Sequence, residues 1–224
     1  MAKILVTGSA SGLGKLIVEE LKKKGHLVFE YDAKHLEDVT CPTHFVSNMD
    51  YMDVLINCAG INYINWMKDV TEEQFSEIMG VNCYGIFAMT QALQPALKVA
   101  KGTVINIVSN AAKMPMRCSA AYNASKGAAL TLTKQMAREL IDDDITVFSI
   151  SPNKLKGTEM SNSIDEQVCR TRGWTKDQAQ QYQLNGLLTK KETDPQKLAE
   201  FIAYLLESKA NHEMFAGCDI QYGL

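Results

Sequence analysis

Thr7-Gly8-Ser9-Ala10-Ser11-Gly12-Leu13-Gly14 is the stretch on which the fold turns. It follows directly on a short apolar run, Ile4–Thr7, and leads into Leu16, Ile17 and Leu21 at helical spacing, with Gly25 as a stop. A strand that turns through three glycines into a helix brings its backbone within contact distance of whatever lies over the turn. The N–H groups and positive end of that helix then suit an anion, and the spacing points to the pyrophosphate of a dinucleotide. Gly8, Ser11, Gly12, Leu13 and Gly14 are therefore candidate cofactor contacts.

Further along, Asp32 closes a second apolar run, Leu27–Phe29, 18 residues after Gly14. A carboxylate at that distance accepts hydrogen bonds from the adenosine ribose hydroxyls and repels a 2′-phosphate. NAD(H) is favoured on this ground, and NADP(H) stays open because Lys34 and His35 stand close by. Val54–Ile56, Val104–Val108 and Ile145–Ile150 are further short runs rich in β-branched residues. Runs apolar on both faces suit parallel strands covered by helices.

Helical patterns lie between them. Thr71-Glu72-Glu73-Gln74 is a capping-box signature ahead of Phe75, Ile78 and Met79. Asp194-Pro195 opens a helix that carries Leu198, Phe201, Ile202, Leu205 and Leu206 on one face. The alternation predicts an α/β fold: one Rossmann-like domain over residues 1–224, with a doubly wound parallel sheet.

Composition narrows the function classes. In 224 residues, 46% are hydrophobic and 22% charged, which excludes disordered and low-complexity architectures. The net charge of −3 and the absence of a basic stripe beyond Lys22-Lys23-Lys24 argue against nucleic acid as a partner. No apolar window is long enough for a membrane span, and Met1–Gly8 lacks the pattern of a signal peptide. Six scattered cysteines, with no C-x-x-C pair and no zinc spacing, point to reduced thiols in a cytoplasmic protein and to no metal site.

Tyr122-Asn123-Ala124-Ser125-Lys126 sets Tyr and Lys four apart, on one face of a helix. A neighbouring ammonium favours a phenolate, so Lys126 is expected to lower the Tyr122 pKa toward useful acid–base range. Ser109 ends the fourth expected strand of this series, at the carboxyl edge where such sheets bind ligands.

With these motifs in order, the chain resembles the short-chain dehydrogenase/reductase family, of the classical type, over nearly its whole length. Thr7 to Gly14 matches the family's cofactor loop, and Asn57-Cys58-Ala59-Gly60 is similar to the family's Asn-Asn-Ala-Gly motif that braces the central strand, with Cys58 in place of the second Asn. Asn82, Ser109, Tyr122 and Lys126 match its catalytic tetrad. The tail from Asn185-Gly186-Leu187-Leu188 through Asp194-Pro195 to Phe215-Ala216-Gly217 resembles its closing helix and last strand. The resemblance implies Tyr122 as general acid–base, Ser109 as stabiliser of the substrate oxygen, and Lys126 as the group that tunes Tyr122 and holds the nicotinamide ribose. It implies that Asn82 holds a water linking Lys126 to solvent. It further implies cofactor contacts at Asn57, Ala59, Gly60, Tyr122, Lys126, Pro152, Leu155 and Thr158, and a homodimer or homotetramer built on the Tyr122-bearing helix.

The sequence departs from the family pattern in three places. Between Asp32 and Val54 the chain is shortened: Thr43–Asn48 is the candidate for the family's third strand, its helix reads as clipped, and its adenine-contacting Asp has no assigned counterpart. Pro152-Asn153 replaces the family's Pro-Gly, with Asn153 expected to tolerate a left-handed backbone and Thr158 one position late. The chain ends Asp219-Ile220-Gln221-Tyr222-Gly223-Leu224, where the family has Asp-Gly-Gly.

Substrate choice is expected to lie with Ala111–Ser119 and with residues 159–190, the latter a solvated, mobile lid on the substrate side. Lys113 or Arg117 would meet a polar or anionic substrate, and Met114 and Met116 would pack the loop. The expected activity is hydride transfer between a nicotinamide cofactor and a secondary alcohol or ketone. The alternatives are a catalytically silent dinucleotide-binding regulator and a lyase or epimerase on the same scaffold.

Overall fold

Six strands, β1 (Lys3–Thr7), β2 (Leu27–Tyr31), β3 (Val54–Asn57), β4 (Thr103–Ile107), β5 (Thr146–Pro152) and β6 (Asp219–Tyr222), form one sheet in the order β2-β1-β3-β4-β5-β6, with every pairing parallel. The structure, a computed structural model, describes residues 1–207 and 215–223, so Leu224 lies outside it. Strand residues alternate between two apolar layers. Ile4, Val6, Ile56, Ile105 and Ile150 pack on α1 (Gly12–Lys23) and α8 (Pro195–Glu207), whereas Leu5, Leu55, Val104 and Val147 pack on α4 (Gly85–Ala100) and α5 (Ala120–Leu140). Each such side chain, buried on both flanks, contributes about 1.5–3 kcal/mol. The Rossmann-like expectation holds, and the chain reverses its strand order at β1 and β3, where open sheets of this kind place their ligand.

The shortened segment folds differently from the expectation. Thr43–Asn48 is not a strand: it holds a four-residue helix, α2 (His44–Ser47), and β2 is the edge of the sheet. Val39, Val46 and Met52 are buried in the α4 layer, so the apolar residues that could have added a strand beyond β2 cover the sheet instead. The chain makes the turn through a short 3-10 segment at Ala33–His35 and a left-handed Leu36 (φ 64°). Asn153 also departs from the expectation, since it is not left-handed. Its carboxamide instead donates to the Gly223 carbonyl at 2.6 Å and accepts from the Lys154 N–H at 2.6 Å, tying the end of β5 to the chain after β6.

Residues 159–190 contain two helices, α6 (Glu159–Arg172) and α7 (Lys176–Asn185), each capped by a threonine, Thr158 and Thr175. Their faces are not solvated throughout. Val168 and Ala179 are buried with Ile64 and Cys118 in a small separate cluster. The hairpin is also hydrogen-bonded to the segment after β3: the Ile64 N–H donates to Gln167 at 2.9 Å, and the Trp66 indole donates to the Thr171 carbonyl at 3.1 Å.

Candidate active site

One cleft of about 1620 Å³ runs along the carboxyl ends of β1, β3, β4 and β5. At one end stands the glycine loop. Gly8 has a left-handed backbone (φ 67°), and a Cβ there would lie 2.8 Å from the Ala59 Cα. A Cβ on Gly14 would lie 2.1 Å from the Gly8 carbonyl oxygen. Thr7 fixes the neighbouring turn: its hydroxyl oxygen accepts from the N–H groups of Cys58 and Ala59, at 3.0 and 3.1 Å. Helix α1 opens at Ser11 with no side-chain cap and no acid in its first turn, leaving its N–H groups and positive end available to an anion.

Asp32 also lines this end of the cleft and is 9% exposed. Its two carboxylate oxygens accept from the N–H groups of Ala10 (2.9 Å) and Lys34 (2.8 Å), so it steadies the loop as well as facing the cleft. Lys34 is drawn to Glu159 at 3.5 Å, away from neutralising Asp32. Glu37 and Asp38 line the same wall. Sequence reasoning missed Asp38 and Val39, whose signal was an acid followed by an apolar residue six positions after Asp32. The 3-10 shortcut brings this pair to the cleft, supplying a candidate where no adenine-facing Asp had been assigned.

The other predicted residues divide cleanly. Ser11, Gly12, Leu13, Ala59, Gly60, Ser109, Tyr122, Lys126, Pro152, Leu155 and Thr158 all line the cleft. Asn57 does not: its carboxamide donates to Asn106 at 2.9 Å, a brace between β3 and β4. Asn82 is fully buried in a π-helical turn, Gly80–Tyr84. Both protons of its Nδ2 are taken, by the Ile61 carbonyl (2.9 Å) and Ser125 (3.0 Å), while its Oδ1 accepts from the Ile61 N–H at 2.8 Å. Asn82 thus positions the chain after β3 rather than facing the cleft.

Ser109, Tyr122 and Lys126 meet in the middle of the cleft, Ser109 at the end of β4 and the other two on α5. Burial pushes the Tyr122 hydroxyl above the ordinary phenol value, and its hydrogen bond with Ser109 pulls it back in part. Lys126 is 5% exposed, donates to the Ile107 carbonyl at 3.1 Å, and stands 5.9 Å from the centre of the Tyr122 ring. Burial brings its ammonium down to about 8, opposed by the nearby Cys58 and Cys83 thiols. The Tyr122 hydroxyl is thus shifted upward by burial, opposite to the expected depression, and the group that opposes the shift is Ser109. Burial likewise pushes the Cys58 thiol up to about 12, which keeps it protonated and unreactive.

Beyond the reaction centre, Lys113 forms an ion pair with Asp219 at 2.7 Å, where the carboxylate is 5% exposed and also accepts from Ser149 and Ser151. Lys113 is thereby engaged as a structural cation, contrary to the expectation that it meets substrate. Arg117 lines the cleft and lies 5.7 Å over the Trp66 ring. Among the described residues, no group of three or more His, Cys, Asp or Glu is placed to hold a metal ion, and no helix is long and apolar enough to cross a membrane.

Residues 27–168 match the family described as short chain dehydrogenase, and the chain belongs to that family. It is an oxidoreductase acting on CH–OH or C=O groups with a nicotinamide cofactor. Among characterised relatives, it is 29% identical to the 3-oxoacyl-acyl-carrier-protein reductase of Vibrio cholerae, over 92% of this chain and 90% of that one. It is also 29% identical to the D-beta-hydroxybutyrate dehydrogenase of Rhizobium meliloti, over 90% of both. A solved short chain dehydrogenase family protein from Francisella tularensis superposes with a TM-score of 0.86 at 25% identity, over 99% of this chain and 96% of that one. The fold is also that of an actinorhodin polyketide ketoreductase with NADPH (TM-score 0.84, 24% identity, 99% of this chain and 96% of that one).

Proposed function

We propose that this protein interconverts a secondary alcohol and a ketone, with Tyr122 as the proton donor and acceptor and NAD(H) as the preferred cofactor. The observation that carries the reading is the convergence of Ser109, Tyr122 and Lys126 in a cleft whose far end is the glycine loop and Asp32. The residues present fit a dinucleotide. Gly8 and Gly14 leave no room for a side chain, the uncapped start of α1 suits the pyrophosphate, and Asp32 suits the ribose of an adenosine flanked by Asp38 and Val39. With Glu37 on the same wall, the negative potential at that end opposes a 2′-phosphate. Bound there, the nicotinamide supplies or accepts the hydride.

The side chains do the rest. Because burial raises the Tyr122 pKa, the neutral phenol persists through neutral pH, and it is the form that gives a proton to the oxygen as the carbonyl is reduced. In oxidation the same oxygen takes the proton, and its phenolate fraction grows as pH rises. Ser109 hydrogen-bonds the substrate oxygen as negative charge develops on it. Lys126 supplies positive charge beneath the ring and holds the ribose side of the site, a role that depends on its ammonium and fades above pH 8 or so. Helices α6 and α7 close the substrate end. The protein is further assigned to the cytoplasm, as a homodimer or homotetramer through α5.

Titration with NADH and NADPH separately, followed by Trp fluorescence and thermal shift, tests the cofactor assignment. Tighter NADH binding is expected. Tighter NADPH binding overturns the role given to Asp32, and binding of neither overturns the whole reading.

A further inference from the structure

Arg172, the last residue of α6, lines the cleft and is the most unusual cation there. Its guanidinium lies 4.7 Å over the Trp174 ring and 4.6 Å over the Tyr182 ring. Its Nη2 donates to the Arg117 carbonyl at 2.6 Å, yet Nε and Nη1 are buried without a hydrogen-bond partner. No carboxylate among the described residues pairs with it, whereas the cleft cations Lys34 and Lys154 each have one or more. Two enclosed donors of a half-buried side chain thus go unmet among the described residues, which is costly, and the two rings offset only part of that cost.

A second feature of the same wall points to a polar ligand. Asn110, adjacent to Ser109, is 8% exposed and lines the cleft, and both polar atoms of its carboxamide lack partners. The segment from Ser109 to Arg117 therefore leads from the reacting centre, past an unpartnered amide, to the residue whose carbonyl orients Arg172. Arg117 itself adds a second positive charge without a carboxylate partner among the described residues.

We propose that the Arg172 guanidinium docks an oxyanion carried by the carbonyl substrate of this cleft, with Asn110 contacting the polar atoms between that anion and the reacting oxygen. The proposal rests on the oxidoreductase reading given above. A forked, weakly hydrated guanidinium suits carboxylate and phosphate alike. The two sources are separated by testing each with its own neutral analogue.

The test compares acetoacetate with methyl acetoacetate, and dihydroxyacetone phosphate with dihydroxyacetone, in NADH oxidation by the wild-type protein and by Arg172→Met and Arg172→Lys. In the wild type the anion of at least one pair is expected to have a KM about 10-fold or more below that of its neutral analogue. Arg172→Met is expected to raise that KM by about 10- to 100-fold while moving the neutral analogue's kcat/KM by less than about 3-fold. Arg172→Lys should fall between them, since it keeps the charge and loses the fork.

Equal KM values within both pairs overturn the proposal, and so does an Arg172→Met that weakens anion and neutral analogue alike, which makes the guanidinium a rivet between two rings. Should Arg172→Met not fold, wild-type Trp fluorescence decides: quenching by acetoacetate but not its methyl ester, or by dihydroxyacetone phosphate but not dihydroxyacetone, supports the proposal, and equal quenching or none within both pairs overturns it. That binding readout needs no turnover. Anion binding without NADH or NADPH oxidation would therefore sink the oxidoreductase reading and leave the docking site standing.

Discussion

At the cofactor end of the cleft the walls are backbone, and at the lid end they are stacked side chains. The Thr7 hydroxyl holds the first end by two hydrogen bonds to main-chain N–H groups, and Gly8 and Gly14 lie so close to neighbouring backbone that a methyl group on either would stand within 3 Å of it. The second end is held by Arg117 on Trp66 and by Arg172 on Trp174 and Tyr182, long side chains that can be exchanged without moving a strand. The difference is between a site fixed by covalent geometry and one fixed by replaceable surface. A common cofactor suits the first, and a substrate particular to this chain suits the second.

The sharpest way to break that comparison is Gly14→Ala. Its Cβ would stand 2.1 Å from a carbonyl oxygen, so the loop must move, and a loss of roughly 4 kcal/mol or more is expected in thermal or urea unfolding, together with loss of cofactor binding. A variant that stays near wild-type stability would show the loop to be as adaptable as the lid. Asp32→Asn keeps most of the shape and removes the charge. The ratio of NADPH to NADH affinity is expected to rise by about 10-fold, measured by fluorescence titration, and an unchanged ratio would move the discrimination to Glu37 or Asp38.

Lys126 joins the two ends, and its predicted effects have opposite signs for activity and stability. Its folded-state pKa of about 8 lies below the usual lysine value. The unfolded chain therefore holds more protons between about pH 8 and 10.4, and the contribution of this residue to stability rises with pH across that window. Lys126→Met is expected to stabilise the fold at pH 7 by about 1–3 kcal/mol while abolishing most turnover. Carbonyl reduction by the wild type should fall off above pH 8 or so as the ammonium is lost. Equilibrium unfolding at two pH values and a pH–rate profile check both signs. The smallest effect expected is from Lys113→Met, which leaves Asp219 with two serines and costs about 1–2 kcal/mol without altering substrate preference.

The same contrast explains what could be read from the chain before its structure. The expected strands Ile4–Thr7, Leu27–Phe29, Val54–Ile56, Val104–Val108 and Ile145–Ile150 each fall within two residues of the observed ends; for all but the half-exposed edge strand β2, burial on both faces writes itself into a continuous apolar run. The glycine loop and the Tyr122–Lys126 spacing were legible for a similar reason: local backbone geometry fixes them. Thr43–Asn48 was misread because a short apolar segment does not say whether it extends a sheet or covers one. Lys113 was misread because its partner, Asp219, lies 106 positions away in sequence. Arg172, stacked on two rings, had no local signal to set it apart from the other charged residues of 159–190, and Asn82 revealed its role only once Ile61 was in place, whereas the brace at Asn57 was implied by its motif.

The measurement that bears most directly on the central claim is NADH-dependent carbonyl reduction by Tyr122→Phe, with NADH binding followed in the same preparation. The account predicts that NADH binds within about 3-fold of wild type while turnover falls by about 100- to 10,000-fold, the span expected when one proton-transferring group is removed. Turnover within about 3-fold of wild type would contradict the assignment of proton transfer to Tyr122, and loss of NADH binding along with turnover would contradict the separation of roles between the two ends of the cleft.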